Sequence, residues 1–108
     1  MFGDYVCVGD CIEWEAQGFE LRAEIVFDTD SRVDDVDCYS EEVVQAWKDG
    51  EWFFCGMVVT ASLHRVELGT ASLWGIECNL GSDEYLNSLA KELEDEACQA
   101  ARDWLKRL

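Results

Sequence analysis

Between Asp10 and Asp28 apolar and polar residues alternate with a period of two. Ile12, Trp14 and Ala16 interleave with Cys11, Glu13 and Glu15, and Phe19, Leu21, Ala23, Ile25 and Phe27 interleave with Glu20, Arg22, Glu24, Val26 and Asp28. Two such runs around Gln17-Gly18 predict a β-hairpin, because glycine accepts the positive φ that a two-residue turn requires. With that turn, Trp14 faces Leu21 and Ile12 faces Ala23 on the buried side. Glu13 faces Arg22, and Glu15 faces Glu20, on the solvated side.

Downstream, Ser40 is placed to cap a short helix. Glu41 and Glu42 lie in its first turn, where the helix dipole favours acids, Val43, Val44 and Trp47 share a face, and Gly50 ends it. Glu51 to Leu63 is apolar on both alternations, as in a central strand. The adjacent Trp52, Phe53 and Phe54 point to opposite faces in such a strand, so helices and sheet must cover both, or one face is a partner pocket. A turn near His64-Arg65 leads into Val66-Glu67-Leu68, and Ser72 to Cys78 reads as a further strand. Tyr85, Leu86, Leu89, Leu93, Ala97, Ala101, Trp104 and Leu108 recur at spacings of three and four, which predicts a long C-terminal helix capped by Ser82. The expected fold is α+β, in the order β-β-α-β-β-(β)-α. It comprises an antiparallel sheet of four to five strands, one short helix and one long C-terminal helix, in a single domain over residues 1–108.

Composition adds a strong charge bias. The 108 residues include 24 Asp and Glu against 8 Lys and Arg, a formal charge of −16, yet 49% of positions are hydrophobic. The apolar content separates the chain from acidic disordered tails. The charge argues against a protein that holds nucleic acid or an anionic membrane through its own basic surface. The bias is uneven: residues 1–50 carry 14 acids and 3 bases, so eleven of the sixteen net charges fall there.

The start of the chain lacks the basic region and long apolar run of an export signal, and no stretch is long enough for a membrane helix. A reducing, cytoplasmic setting follows as an expectation, with the six cysteines packed as thiols. Cys7 and Cys11 form one C-x3-C pair, with His64 or Cys38 as candidates to complete it, but structural zinc uses two tight pairs, so no metal site is expected. Asp28-Thr29-Asp30 opens like a calcium loop. Arg32, Val33 and Tyr39 then occupy positions that need a ligand, a glycine and a bidentate glutamate. His64 is the only histidine and sits at a turn, and no phosphate, dinucleotide or nucleophile-elbow motif is present. No enzyme and no cofactor is expected.

The acidic surface is the remaining candidate. Carboxylates two residues apart on one strand face stand roughly 6.6 Å apart, comparable with the spacing of successive phosphates. Glu13 and Glu15, with Glu20 and Glu24, would stand in such rows on the hairpin. Asp28, Asp30, Asp34, Asp35 and Asp37 line an acidic loop directly after it, interrupted only by Arg32. These nine residues form the expected partner-binding set. Setting Glu15 opposite Glu20 costs stability, which a chain selected only to fold and stay soluble avoids by mixing signs.

Ala71 to Asn79 (Ala-Ser-Leu-Trp-Gly-Ile-Glu-Cys-Asn), Gly81-Ser82-Asp83 and the Leu86–Leu93 helix, together with Glu51-Trp52-Phe53-Phe54, are similar to a group of small phage and prophage proteins of no assigned activity. More broadly, an acidic, proline-free domain of this size resembles anti-CRISPR and DNA-mimic inhibitors. The phage likeness implies a setting and no mechanism; taken with the acidic surface, the expected function is an inhibitor that binds the basic, nucleic-acid-handling surface of a CRISPR effector or similar complex in the host cytoplasm. Such an inhibitor touches neither nucleic acid nor membrane itself. The alternative is an immunity-type or accessory protein that neutralises a basic nuclease or toxin.

Overall fold

The computed structural model describes residues 2–3, 6–29, 39–80 and 84–107. Four strands, β1 (Cys11–Ala16), β2 (Phe19–Phe27), β3 (Phe53–Leu63) and β4 (Val66–Cys78), form one antiparallel sheet in the order β1-β2-β3-β4. Helix α1 (Glu41–Lys48) follows β2, and α2 (Glu84–Lys106) follows β4. The fold is α+β.

The hairpin has the register that its alternation predicts: Ile12 pairs with Ala23, Glu13 with Arg22, Trp14 with Leu21 and Glu15 with Glu20. Gln17 (φ 56°) and Gly18 (φ 85°) both adopt left-handed conformations, as a two-residue turn matched to strand twist demands. His64 and Arg65 repeat this geometry between β3 and β4. Ser40 caps α1 by accepting from the Val43 amide, and Gly50, at φ 78°, closes the helix by donating to the Trp47 carbonyl. Eight residues are too few for an isolated helix in water. Helix α1 is held by a small cluster in which Val43, Val44, Ala46 and Trp47 pack on the buried Trp52 and Phe54, and the Trp52 indole donates to the Val43 carbonyl at 2.8 Å. The aromatic run is therefore covered on both sides. Trp52 and Phe54 lie under α1, while Phe53 joins the main core.

That main core lies between the sheet and α2. Leu21, Ala23, Ile25, Met57, Val59 and Ala61 meet Leu86, Ala90, Leu93, Ala97, Cys98 and Ala101. Phe2 and Val6 join it, because two asparagines imitate backbone pairing there. Asn87 Oδ1 accepts from the Phe2 amide, and the Asn79 side chain both accepts from and donates to the Val6 backbone at 2.9 Å.

Three expectations are corrected. First, Val66–Leu68 and Ser72–Cys78 are one strand of 13 residues, so there is no fifth strand among the described residues. Gly69 marks the place where α2 approaches most closely, not a break. A Cβ there would lie 2.4 Å from the Ala97 carbonyl oxygen and 2.5 Å from the Ala101 nitrogen. The irregular stretch is absorbed by a shift in register between Ala61 and Ser62, which leaves Leu68 without a partner across the ladder. Second, the cysteines are not uniformly packed thiols. Cys55 and Cys78, on the same inward face of adjacent strands, are joined as a disulfide, and Cys7 and Cys11 are exposed. Among the described residues only Cys98 fits the expectation, and its burial pushes its thiol pKa up. Third, the periodic stripe of α2 is not buried at its ends, where Tyr85 and Trp104 (46%) are exposed. Ser82 and Leu108, expected at the two ends of this helix, lie outside the described residues, as does Cys38.

Backbone atoms cannot swing aside as a side chain can, so Gly69→Ala should destabilise the fold by about 2–3 kcal/mol. This should read as a lower urea midpoint at unchanged slope, while Thr70→Ala on the exposed face should shift it little. Alkylation of the denatured, unreduced protein followed by mass spectrometry should leave Cys55 and Cys78 unlabelled and modify Cys98.

Candidate functional site

Strand alternation sends one set of side chains into the α2 core and the other to the opposite face of the sheet. The second set is Cys11, Glu13 and Glu15 on β1, Glu20, Arg22, Glu24 and Val26 on β2, Val58, Thr60 and Ser62 on β3, and Glu67, Thr70, Ser72 and Trp74 on β4. No helix packs over these positions among the described residues. Cys11, Glu13, Glu15, Glu20, Arg22, Glu67, Thr70, Ser72 and Trp74 are exposed, and the remainder are half-buried. Helix α1 occupies only the far end of this face, above Phe54.

Five carboxylates thus share one surface: Glu13, Glu15, Glu20, Glu24 and Glu67. They line two adjoining depressions of about 600 and 230 Å³ that run across β1, β2 and β3 to Glu67. The only cation within the rows, among the described residues, is Arg22. Its guanidinium reaches Glu24 at 3.0 Å and the Cys11 sulfur at 3.6 Å, and it lies directly across from Glu13. The Cys11 sulfur first, then Glu24 and Glu13, push Arg22 further toward its charged form. The ion pair is half-exposed and contributes little to stability. Its effect is local: it neutralises one carboxylate and leaves the others in excess.

Glu15 and Glu20 are direct cross-strand neighbours. Two unit charges ~5 Å apart in water repel by about 0.8 kcal/mol, so this pair works against the hairpin that carries it. Glu20 is further held by the β3–β4 turn, where its Oε1 accepts from the Arg65 amide at 3.2 Å. Arg65 itself lines the rim of the larger depression.

At the other end of the acidic rows lies Trp74. It is 53% exposed and rests on Gly56, where a Cβ would fall 2.3 Å from the indole Cε3. A second shift in the ladder, between Cys55 and Met57, sets Trp74 and Gly75 opposite Gly56 alone. Gly75 takes a positive φ, 72°, and its amide donates to Asp28 Oδ2 at 2.7 Å.

The hairpin members of the expected set, Glu13, Glu15, Glu20 and Glu24, are therefore brought together on one face. Asp28 is not among them: it is 5% exposed, and its carboxylate serves the Gly75 bulge. Parity places Asp28 on the same face of β2, but that end is covered, so its role is structural. Asp30, Asp34, Asp35 and Asp37 lie outside the described residues. Sequence reasoning missed Glu67 and Trp74. The apolar–acidic–apolar triplet Val66-Glu67-Leu68 carried the signal for Glu67, while nothing local marks Trp74 as exposed.

Among the described residues no group of three or more His, Cys, Asp or Glu side chains is placed to hold a metal, and no helix is long and apolar enough to cross a membrane. No family model, curated protein or solved structure matches the chain significantly.

Replacing Glu15 with lysine converts the cross-strand repulsion with Glu20 into attraction. Glu15→Lys should raise stability by about 0.2–1 kcal/mol at low ionic strength, and by less as salt screens the pair. Urea unfolding at two salt concentrations reads this directly.

Proposed function

We propose that the protein is an inhibitor of the phage type. It binds a basic, nucleic-acid-handling protein surface through the open face of its sheet and acts in the cytoplasm of a bacterial host. The supporting observation is the face itself: five carboxylates on three strands, with one guanidinium among them and no covering helix among the described residues. Carboxylates at strand spacing pair with the lysines and arginines that otherwise hold phosphate, and charge-assisted hydrogen bonds make that pairing strong. Occupation of such a surface excludes target or guide nucleic acid. The partner that suits this mechanism is a CRISPR effector complex, in keeping with the resemblance to phage proteins and DNA-mimic inhibitors. The unfavourable Glu15–Glu20 pair supports a binding role, since solubility alone needs no like charges in register.

Steering by charge acts chiefly on association. In surface plasmon resonance against an immobilised CRISPR effector, Glu13→Lys/Glu15→Lys should slow association about ten- to hundredfold. Raising salt from about 50 to 500 mM should weaken the wild type steeply and the variant little. Salt-insensitive binding, or equal association by both proteins, would rule the mechanism out. Capture of a host nuclease in place of the effector would favour an immunity-type role.

A further inference from the structure

Strand β1 is an edge of the sheet. In the β1–β2 ladder the Ile25 amide donates to the Asp10 carbonyl, which fixes the phase of the pairing. The Asp10 carbonyl and the backbone groups of Ile12, Trp14 and Ala16 turn toward β2. The amides and carbonyls of Cys11, Glu13 and Glu15 then point outward from the sheet. Beneath this edge lies a groove of about 460 Å³ between Ile12, Trp14 and Ala16 on one side and Asn87, Ala90 and Lys91 of α2 on the other. The groove exists because α2 packs on β4 and β3, leaving the inner side chains of β1 half-buried.

We propose that this edge accepts an extended segment of a partner protein as a fifth strand, one in which basic and apolar residues alternate. The two sides of β1 impose that alternation. A residue opposite Glu13 or Glu15 on the open face meets a carboxylate, and its neighbours point into the groove against Ile12, Trp14 and Ala16. Of the two charged α2 residues lining the groove, Glu94 is buried and already accepts from the Trp14 indole and the Gln17 side chain, which leaves Lys91 to disfavour the opposite phase, with basic residues inside. Charge also decides against a second copy of this chain. Antiparallel pairing of two β1 edges centred on Glu13 sets glutamate against glutamate, and each chain carries −16. The same two acids that bar self-association thus admit a basic strand, with main-chain hydrogen bonds for affinity and alternate side chains for selectivity. The inference rests on the proposed function only for the sign of the partner's charge.

The test uses the intact protein, ¹⁵N-labelled, and a capped octapeptide of alternating lysine and valine as probe. A second peptide has the lysine amides N-methylated, and a third carries glutamate in place of lysine. The lysine–valine peptide should slow hydrogen exchange at the amides of Cys11, Glu13 and Glu15 about tenfold or more at saturation. It should also bind about tenfold more tightly than its N-methylated form, and the glutamate peptide should not bind. Equal binding by the N-methylated peptide, or protection confined to Thr60, Ser72 and Trp74, would overturn the edge site while leaving the acidic face intact. If neither lysine peptide perturbs Glu13, Glu15 or Glu20 at low salt, the acidic-face reading fails with it.

Discussion

A single helix cannot cover four strands. Three inter-strand spacings make the sheet ~14 Å wide between its outer strands, whereas a helix with its side chains spans ~10 Å. The contact at Gly69 decides which strands are covered, by drawing the backbone of α2 down onto β4 through Ala97 and Ala101. Everything distinctive about the surface follows from that choice. The opposite face of the sheet has only α1 at one end, and β1 is left at the side of α2. The hairpin reaches across to the helix, where Glu94 accepts from the Trp14 indole at 2.6 Å and from the Gln17 side-chain Nε2 at 2.8 Å. Arg102 secures the same Gln17 from the other side.

The acids of this protein fall into two populations with different work. Asp28 and Glu94 are almost fully buried, and each accepts hydrogen bonds from a named donor: the Gly75 amide for the first, Trp14 and Gln17 for the second. Glu77 accepts from the Tyr39 hydroxyl next to the α1 cluster. These carboxylates shape the fold, because a buried acid left without donors would be strongly destabilising. Glu13, Glu15, Glu20, Glu24 and Glu67 are held by strand register and lie open or half-open to solvent. Net charge treats both groups alike, although only the second is available to a partner.

The hairpin was legible in the sequence up to Ile25, because its period-two pattern and Gln17-Gly18 turn are local signals that agree with the burial they produce; Phe27, in phase with the buried positions, is exposed. The same holds for α1, whose cap, acidic first turn and closing glycine are each specified within three residues. What was not legible depends on distant partners. Gly69 falls between the two expected strand segments, and its place inside one continuous strand emerges only when α2 is seen to need its missing Cβ. Trp74 carries no local sign of its exposure, and Gly56 supplies the platform that holds it on the uncovered face. Asp28 looks like one more acid of an exposed row, and the bulge at Gly75, 47 positions along the chain, removes it from that row. The Cys55–Cys78 bond likewise joins residues whose proximity is set by ladder register and not by any cysteine spacing.

The repulsion between Glu15 and Glu20 links folding to recognition. A cation seated between them is attracted to both and also cancels their quarrel with each other, so part of what it gains was stored in the empty hairpin. By linkage, a ligand that binds the paired hairpin more tightly than the frayed one firms the β1–β2 pairing by that difference in affinity. The free hairpin is then the looser state and the occupied hairpin the firmer one. The tip at Gln17, tied to Glu94 and Asp95 of α2, would carry that firmness into the helix.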